Sequence, residues 1–287
     1  MNRRSFLIPL AAALVVAPCS LAAEAATGSW ETRVVQVPSA AMNREIAATV
    51  VVPSAYAKEP ERRFPVIYML HGAGDNHTAW ADANHGNAGH LAERFGVILV
   101  CPDGGQSWWF DSDPQHQFFT FVGRELVAWA DQNLRTIAKK EQRGIAGLSM
   151  GGHGALWVGL QNPDTFGAIG SMSGGVDLRP FAHDGNWGLR KMLGDDSPAN
   201  AKTWEEHSVV PLAERLETAR GGQLIMMDCG TEDFFLGVNR DLHRVLLEKK
   251  IRHIYTERPG VHDWVVWRVA VVPQMQAFAD YFAGGKE

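Results

Sequence analysis

Ser149 stands in a setting few serines share. The pentapeptide Gly147-Leu148-Ser149-Met150-Gly151 follows an apolar run with strand character, Arg143 to Ala146, and opens a stretch with helical character. A serine at such a turn is held in a strained backbone conformation. The positions two before and two after it must be glycine, because strand and helix approach too closely for a Cβ. The chemistry this implies is nucleophilic attack on a carbonyl carbon. The helix start also aims main-chain N–H groups and the positive end of a dipole at the place where an oxyanion forms, with the Met150 N–H as first candidate donor.

A serine hydroxyl is a weak nucleophile without a base. In strand-Ser-helix hydrolases the base follows an acid, and the acid follows the serine. The chain has 11 histidines. His243 falls inside a helical run from Asn239 to Lys250, His253 opens an apolar strand, and His183 comes too early in chain order. His262 lies just past a strand end, where Pro259-Gly260 releases a loop and Trp264 can pack beneath it, so it is the expected general base. The acid should emerge at the end of the preceding strand, in Asp228-Cys229-Gly230-Thr231-Glu232-Asp233-Phe234-Phe235. Asp228 still belongs to the strand. Asp233 follows a Gly-Thr turn, is anchored by two phenylalanines, and is expected to orient the imidazole, with Glu232 second.

A second oxyanion donor is expected from the turn after the third strand, where an apolar run enters His71-Gly72-Ala73-Gly74, and the Ala73 N–H is the candidate. His71, His77, His85 and His90 lack the i, i+4 spacing of a helical zinc motif, so no metal and no cofactor is expected. Trp108, Trp109 and Phe110 follow Pro102-Asp103-Gly104-Gly105 in a loop. Trp108 and Trp109 are candidates for an aromatic substrate-binding wall, with ordinary packing as the alternative.

The elements that must position these groups alternate short β-rich runs with longer helical stretches, the pattern of an α/β architecture with a mostly parallel sheet. Eight strands are predicted: Thr32 to Val37, Ile46 to Val52, Val66 to Leu70, Val97 to Cys101, Arg143 to Ala146, Ala168 to Met172, Gln223 to Asp228 and His253 to Glu257. With the serine motif they predict an α/β-hydrolase fold, the sheet flanked by helices. Apolar residues from Phe118 through Leu126 and Leu134 to Ile137 predict one packed helix. The pattern recurs from Trp264 to Phe282, with a break expected within two residues of Pro273. Residues 174–209 lack a sustained period and read as an insertion between the sixth and seventh strands, either a lid over the site or a surface excursion.

The 287 residues are 46% hydrophobic and carry a net charge of -5, which favours a globular domain and gives no reason to expect a nucleic-acid partner. Arg3-Arg4 precedes an apolar, Ala-rich run ending in small residues, which predicts an export signal over residues 1–25 that resembles the twin-arginine type, and a domain over 26–287 in the periplasm or outside the cell. The run is too short, and too interrupted by Pro9 and Pro18, for a comfortable membrane span. Removal of the signal leaves Cys101 and Cys229, which is no disulfide framework. Nothing sets an oligomeric state.

Several segments together resemble the esterase D family of α/β-hydrolases, which includes S-formylglutathione hydrolases, tributyrin and feruloyl esterases and the mycolyltransferases of the antigen 85 group. They are Tyr68 to Gly72, Cys101 to Gly105, Gly147 to Leu156, Cys229 to Phe235 and Gly260 to Trp267. The resemblance implies a Ser149–Asp233–His262 triad, an oxyanion hole of the Ala73 and Met150 amides, and a small ester as substrate. It also implies a strand order that keeps Cys101 and Cys229 about four strand spacings apart, as free thiols. The export signal and the segment from Gly72 to Trp80 depart from the S-formylglutathione branch, which is usually cytosolic and carries a cysteine there. The expected activity is ester hydrolysis through an acyl-enzyme. The rivals are acyl transfer to a sugar alcohol by the same triad and a hydrolase-fold binding protein without activity.

Overall fold

The computed structural model describes residues 30–183, 186–217 and 222–284, so the expected export segment, residues 1–25, lies outside the described residues. Ten strands form: β1 Glu31–Ser39, β2 Arg44–Val52, β3 Val66–Leu70, β4 Ile98–Pro102, β5 Asp111–Asp113, β6 His116–Gln117, β7 Arg143–Leu148, β8 Ala168–Met172, β9 Leu224–Gly230 and β10 Ile254–Arg258. β5 and β6 make a small separate hairpin, and the other eight form one sheet in the order β1-β2-β4-β3-β7-β8-β9-β10. β1 and β2 pair antiparallel, as do β2 and β4, and every pairing from β4 through β10 is parallel. These eight lie where the apolar runs predict. β3, β4, β7, β8 and β9 are buried along their whole length, because helices cover both faces, and so they read as continuous hydrophobic stretches. Parallel strands all end on the same edge. The turns after β3, β7 and β9 therefore share one rim of the sheet, which is how residues distant in sequence meet.

β4 and β9 are separated by three intervening strands. At roughly 4.8 Å per spacing, Cys101 and Cys229 are far beyond disulfide reach. Both are free and buried. Burial pushes the Cys101 thiol up to about 12 and moves the Cys229 thiol in the same direction.

Two helical expectations are corrected. The helical run beginning at Phe118 ends at Asn133, short of Ile137, and winds as a π-helix over Phe121–Glu125. Beyond it the backbone is claimed by another partner: Phe64 N–H donates to the Arg135 carbonyl and Ile137 N–H to the Phe64 carbonyl. The C-terminal helix, Trp264–Phe282, runs unbroken through Pro273. Pro273 is exposed, and so is Val269, the residue whose carbonyl loses its helical donor. The missing bond therefore opens toward water, which can supply a replacement.

The insertion, 174–209, is more ordered than its sequence predicts. It contains turns of 3₁₀-helix at Arg179–Phe181 and Asn186–Gly188 and short helices at Leu189–Leu193 and Ala201–Glu206. Helices of five or six residues make too few turns for an apolar stripe to recur.

Candidate active site

Ser149 joins β7 to the helix Met150–Gln161 with φ 54° and ψ −119°, a strained conformation for a residue bearing a Cβ. Its N–H donates to the Met172 carbonyl at the end of β8, and its own carbonyl accepts the His153 N–H. The flanking glycines are required by contact. A Cβ on Gly147 would lie 2.3 Å from the Gly151 carbonyl oxygen, and one on Gly151 would lie 2.2 Å from the Leu70 and 2.6 Å from the His71 carbonyl oxygens. These obstacles are backbone atoms, of the helix after Ser149 for Gly147 and of the end of β3 for Gly151, which cannot swing aside. Gly151→Ala is expected to cost about 3 kcal/mol or more, the range of overpacking against an unyielding backbone. Urea denaturation checks this; a midpoint within error of the parent would contradict it.

Asp233 and His262 come from the turns after β9 and β10. The two turns are stitched together: Thr231 N–H donates to the Arg258 carbonyl and Glu232 N–H to the Gly260 carbonyl. At Gly230 a Cβ would stand 2.4 Å from the Gly260 oxygen. Asp228 is still in β9, as its position predicts, and its carboxylate pairs with the Arg258 guanidinium at the end of β10. Beyond His262, the Asp263 carboxylate caps the C-terminal helix by accepting from the Val265 and Val266 N–H groups, so the histidine sits at a fixed chain reversal. This cap was open to sequence reading, since an Asp precedes the apolar run at Trp264.

The His262 Nε2 lies 2.8 Å from Ser149 Oγ, and its Nδ1 lies 2.8 Å from Asp233 Oδ2. The other Asp233 oxygen, Oδ1, accepts the Phe235 N–H at 2.8 Å. The Asp233 side chain is fully buried and that of His262 is 13% exposed. With the proton on Nδ1 and donated to the carboxylate, Nε2 is left as acceptor for the serine hydroxyl, the arrangement general-base chemistry needs. Glu232 is exposed and takes no part in this chain of bonds. His243 and His253 bond to each other, Nδ1 to Nε2 at 2.7 Å, away from Ser149.

Gly72 packs directly on Ser149: a Cβ there would be 3.4 Å from Ser149 Cβ. Its carbonyl accepts the His71 Nδ1–H at 2.8 Å and the Asp75 N–H at 3.2 Å, while His71 Nε2 accepts the Gly104 N–H at 2.8 Å. Two bonds thus fix the His71 tautomer and hold the Gly72–Ala73 peptide plane, whose opposite edge carries the Ala73 N–H. Among the described residues neither the Ala73 N–H nor the Met150 N–H has a hydrogen-bond acceptor. The remaining histidines of this region are spent separately. His77 bonds Thr49 Oγ1, His85 stacks on Trp264, and His90 packs against Trp30. Among the described residues no group of three or more metal-ligating side chains converges.

Three aromatic expectations change. Trp108 and Trp109 are 1% and 0% exposed and present no wall to a substrate. Trp109 packs against His71 and Phe118, and Trp108 donates from Nε1 to the Trp187 carbonyl. Both are packing beneath the rim, the alternative their sequence left open. Trp267, not Trp264, touches His262, edge-on at 4.9 Å between ring centroids, because Trp264 turns toward Trp80 and His85. The aromatic surface at the site is supplied instead by Phe234 and Trp187, with the buried Phe235 packed behind them.

His153, one turn along the helix from Ser149, is fully buried, donates from Nδ1 to the Gly175 carbonyl, and has no partner for Nε2 among the described residues. Burial pushes its pKa down to about 3. The unfolded chain binds this proton below about pH 6.5 and the folded chain does not, so stability declines as pH falls below 6.5. By pH 5 this one group costs about 2 kcal/mol. His153→Phe is expected to flatten the acid limb of a stability–pH curve measured by urea denaturation. An unchanged limb would exclude His153 as its source.

A mostly parallel sheet with a strained serine elbow after its central strand, and an acid and a histidine on the following turns, defines an α/β-hydrolase. Residues 39–278 match the family described as "Putative esterase", and the chain belongs to that family. The family, with relatives named as esterases, supports a carboxylic-ester hydrolase. The acetyl esterase of Caldicellulosiruptor saccharolyticus is 30% identical over 213 residues, covering 70% of this chain and 78% of that protein. The diacylglycerol acyltransferase/mycolyltransferase Ag85B of Mycobacterium leprae is 32% identical over 190 residues, covering 60% of this chain and 55% of that protein. A ferulic acid esterase of known structure superposes with a TM-score of 0.75 at 23% identity, covering 88% of this chain and 99% of the other.

Proposed function

We propose that the protein is an exported serine carboxylesterase that cleaves small acyl, aryl or sugar esters through an acyl-enzyme. The observation that carries this reading is the unbroken chain Asp233–His262–Ser149, with 2.8 Å at each link, beside the Ala73 and Met150 N–H groups, which have no acceptor among the described residues. Ser149 Oγ attacks the ester carbonyl while His262 Nε2 takes its proton, and the carbonyl electron pair moves onto oxygen, where the Ala73 and Met150 N–H groups stabilise it. Collapse of the tetrahedral centre expels the alcohol, which receives the proton from His262. Water then attacks the acyl-enzyme with the same histidine as base and releases the acid. Asp233 holds the tautomer and stabilises the imidazolium without taking the proton.

A fluorophosphonate probe tests the assignment directly: one adduct, on Ser149, is expected in the folded protein, and its absence at a pH where the imidazole is neutral would favour the inactive binding-protein reading. A panel of short p-nitrophenyl esters, acetylated sugars and feruloyl esters sorts the substrates. Acyl transfer to a sugar alcohol is kept as a second reading on the similarity to Ag85B. Product analysis with and without an added sugar acceptor separates the two. Export rests on residues 1–25. N-terminal sequencing of the protein from the periplasm or medium should begin near Ala26, and retention of the whole chain in the cytoplasm would refute export.

A further inference from the structure

We propose that Trp187 and Phe234 form a ring-binding surface for the alcohol half of the ester, so that the preferred substrate is one whose leaving alcohol carries an aryl or pyranose ring close to the ester oxygen. The inference rests on the ester-hydrolase reading and adds which half of the substrate is selected, and by what. To protonate the departing alcohol, His262 Nε2 must come within hydrogen-bond reach of the leaving oxygen. The carbons bound to that oxygen then lie against whatever flanks the imidazole. Three rings do: Phe234 at 4.3 Å between centroids, Trp267 at 4.9 Å and Phe235 at 5.3 Å. Phe235 and Trp267 are 1% and 7% exposed and offer nothing to a ligand, whereas Phe234 is 52% exposed.

Phe234 does not stand alone. Trp187 stacks on it, 5.6 Å between centroids and 12° between planes, so an aromatic column runs from the imidazole through Phe234 to the indole. Trp187 belongs to the insertion and is held in a left-handed conformation at φ 57° and ψ 20°. Its carbonyl accepts the Trp108 Nε1–H at 3.1 Å, and its ring packs on Phe181 and Phe235. A strained residue anchored from behind by a buried tryptophan is aimed rather than loose. Two stacked, partly exposed rings beginning at His262 present apolar edges that suit an aryl ring packed edge-to-face or the C–H face of a sugar, and they offer no charged group to a polar one.

The test compares three acetates that share an acyl group and have alcohols of similar acidity: benzyl acetate, methyl 6-O-acetyl-glucopyranoside and n-butyl acetate. In the parent protein kcat/KM is expected to favour at least one ringed ester over n-butyl acetate. Trp187→Ala and Phe234→Leu should each reduce that ratio about fivefold to tenfold, through KM more than kcat. Loss of preference for benzyl acetate identifies an aryl ring, and loss for the acetylated glucoside a pyranose. An unmoved ratio in both variants, with Ser149 still labelled by a fluorophosphonate, would overturn the ring-binding surface and leave the esterase reading standing. A parent protein that neither labels nor hydrolyses any of the three would remove the reading beneath it.

Discussion

Ser149→Ala is expected to lower kcat by about 10⁵- to 10⁶-fold on any ester the enzyme accepts, with the fold retained. The hydroxyl is the only atom removed. The strained turn stays, since its geometry is set by the contacts of Gly147 and Gly151 with backbone and not by the serine side chain. His262→Ala should cost nearly as much, and the double variant should be no worse than either single one, because in the proposed mechanism the two residues act as a unit through one 2.8 Å hydrogen bond. Residual hydrolysis in all three would come from the two amide donors and from substrate positioning. Steady-state kinetics on p-nitrophenyl acetate, with circular dichroism to confirm folding, measures this. Losses that multiply in the double variant, or a Ser149→Ala protein within a hundredfold of its parent, would place the chemistry on other residues.

The sheet was legible because its strands are buried on both faces. Val66–Leu70 and Leu224–Gly230 are apolar almost throughout, and no helix of that length would be bounded by the turn residues that follow them. The order of Ser149, Asp233 and His262 was legible because parallel strands end on one rim, so residues just past successive strand ends meet. Side-chain direction beyond that rim was not. Trp264 and Trp267 lie three residues apart on one helix, and which of them reaches the imidazole depends on where Trp80 and His85 leave room. Trp108 and Trp109 sit in a loop of surface composition yet are buried, because the helix after Ser149 offers Gly154 where Trp109 needs space. The pairing of Trp187 with Phe234 joins two segments with no periodicity to announce it. The end of the Phe118 helix was decided by Phe64, which bonds the residues beyond it from far along the chain.

Asp233→Asn isolates the acid's role more sharply than its removal would. The Phe235 N–H donates to Oδ1 of the buried carboxylate, so an asparagine must turn its carbonyl oxygen to that N–H. Its NH₂ then occupies the place of Oδ2 and faces His262 Nδ1, a donor where an acceptor stood. The imidazole must present an unprotonated Nδ1 to it and carry its proton on Nε2, where it cannot accept from Ser149. The geometry survives while the tautomer is wrong, and a loss of about 10⁴-fold in kcat near neutral pH is expected. Fluorophosphonate labelling of Ser149 should slow in parallel, since it needs the same base. Glu232→Gln, at an exposed neighbour outside the hydrogen-bonded chain, should change kcat less than about twofold, as ordinary surface substitutions do. If Asp233→Asn stayed within tenfold of the parent, or if Glu232→Gln carried the larger loss, the orienting carboxylate would have to be assigned to the other residue of the pair.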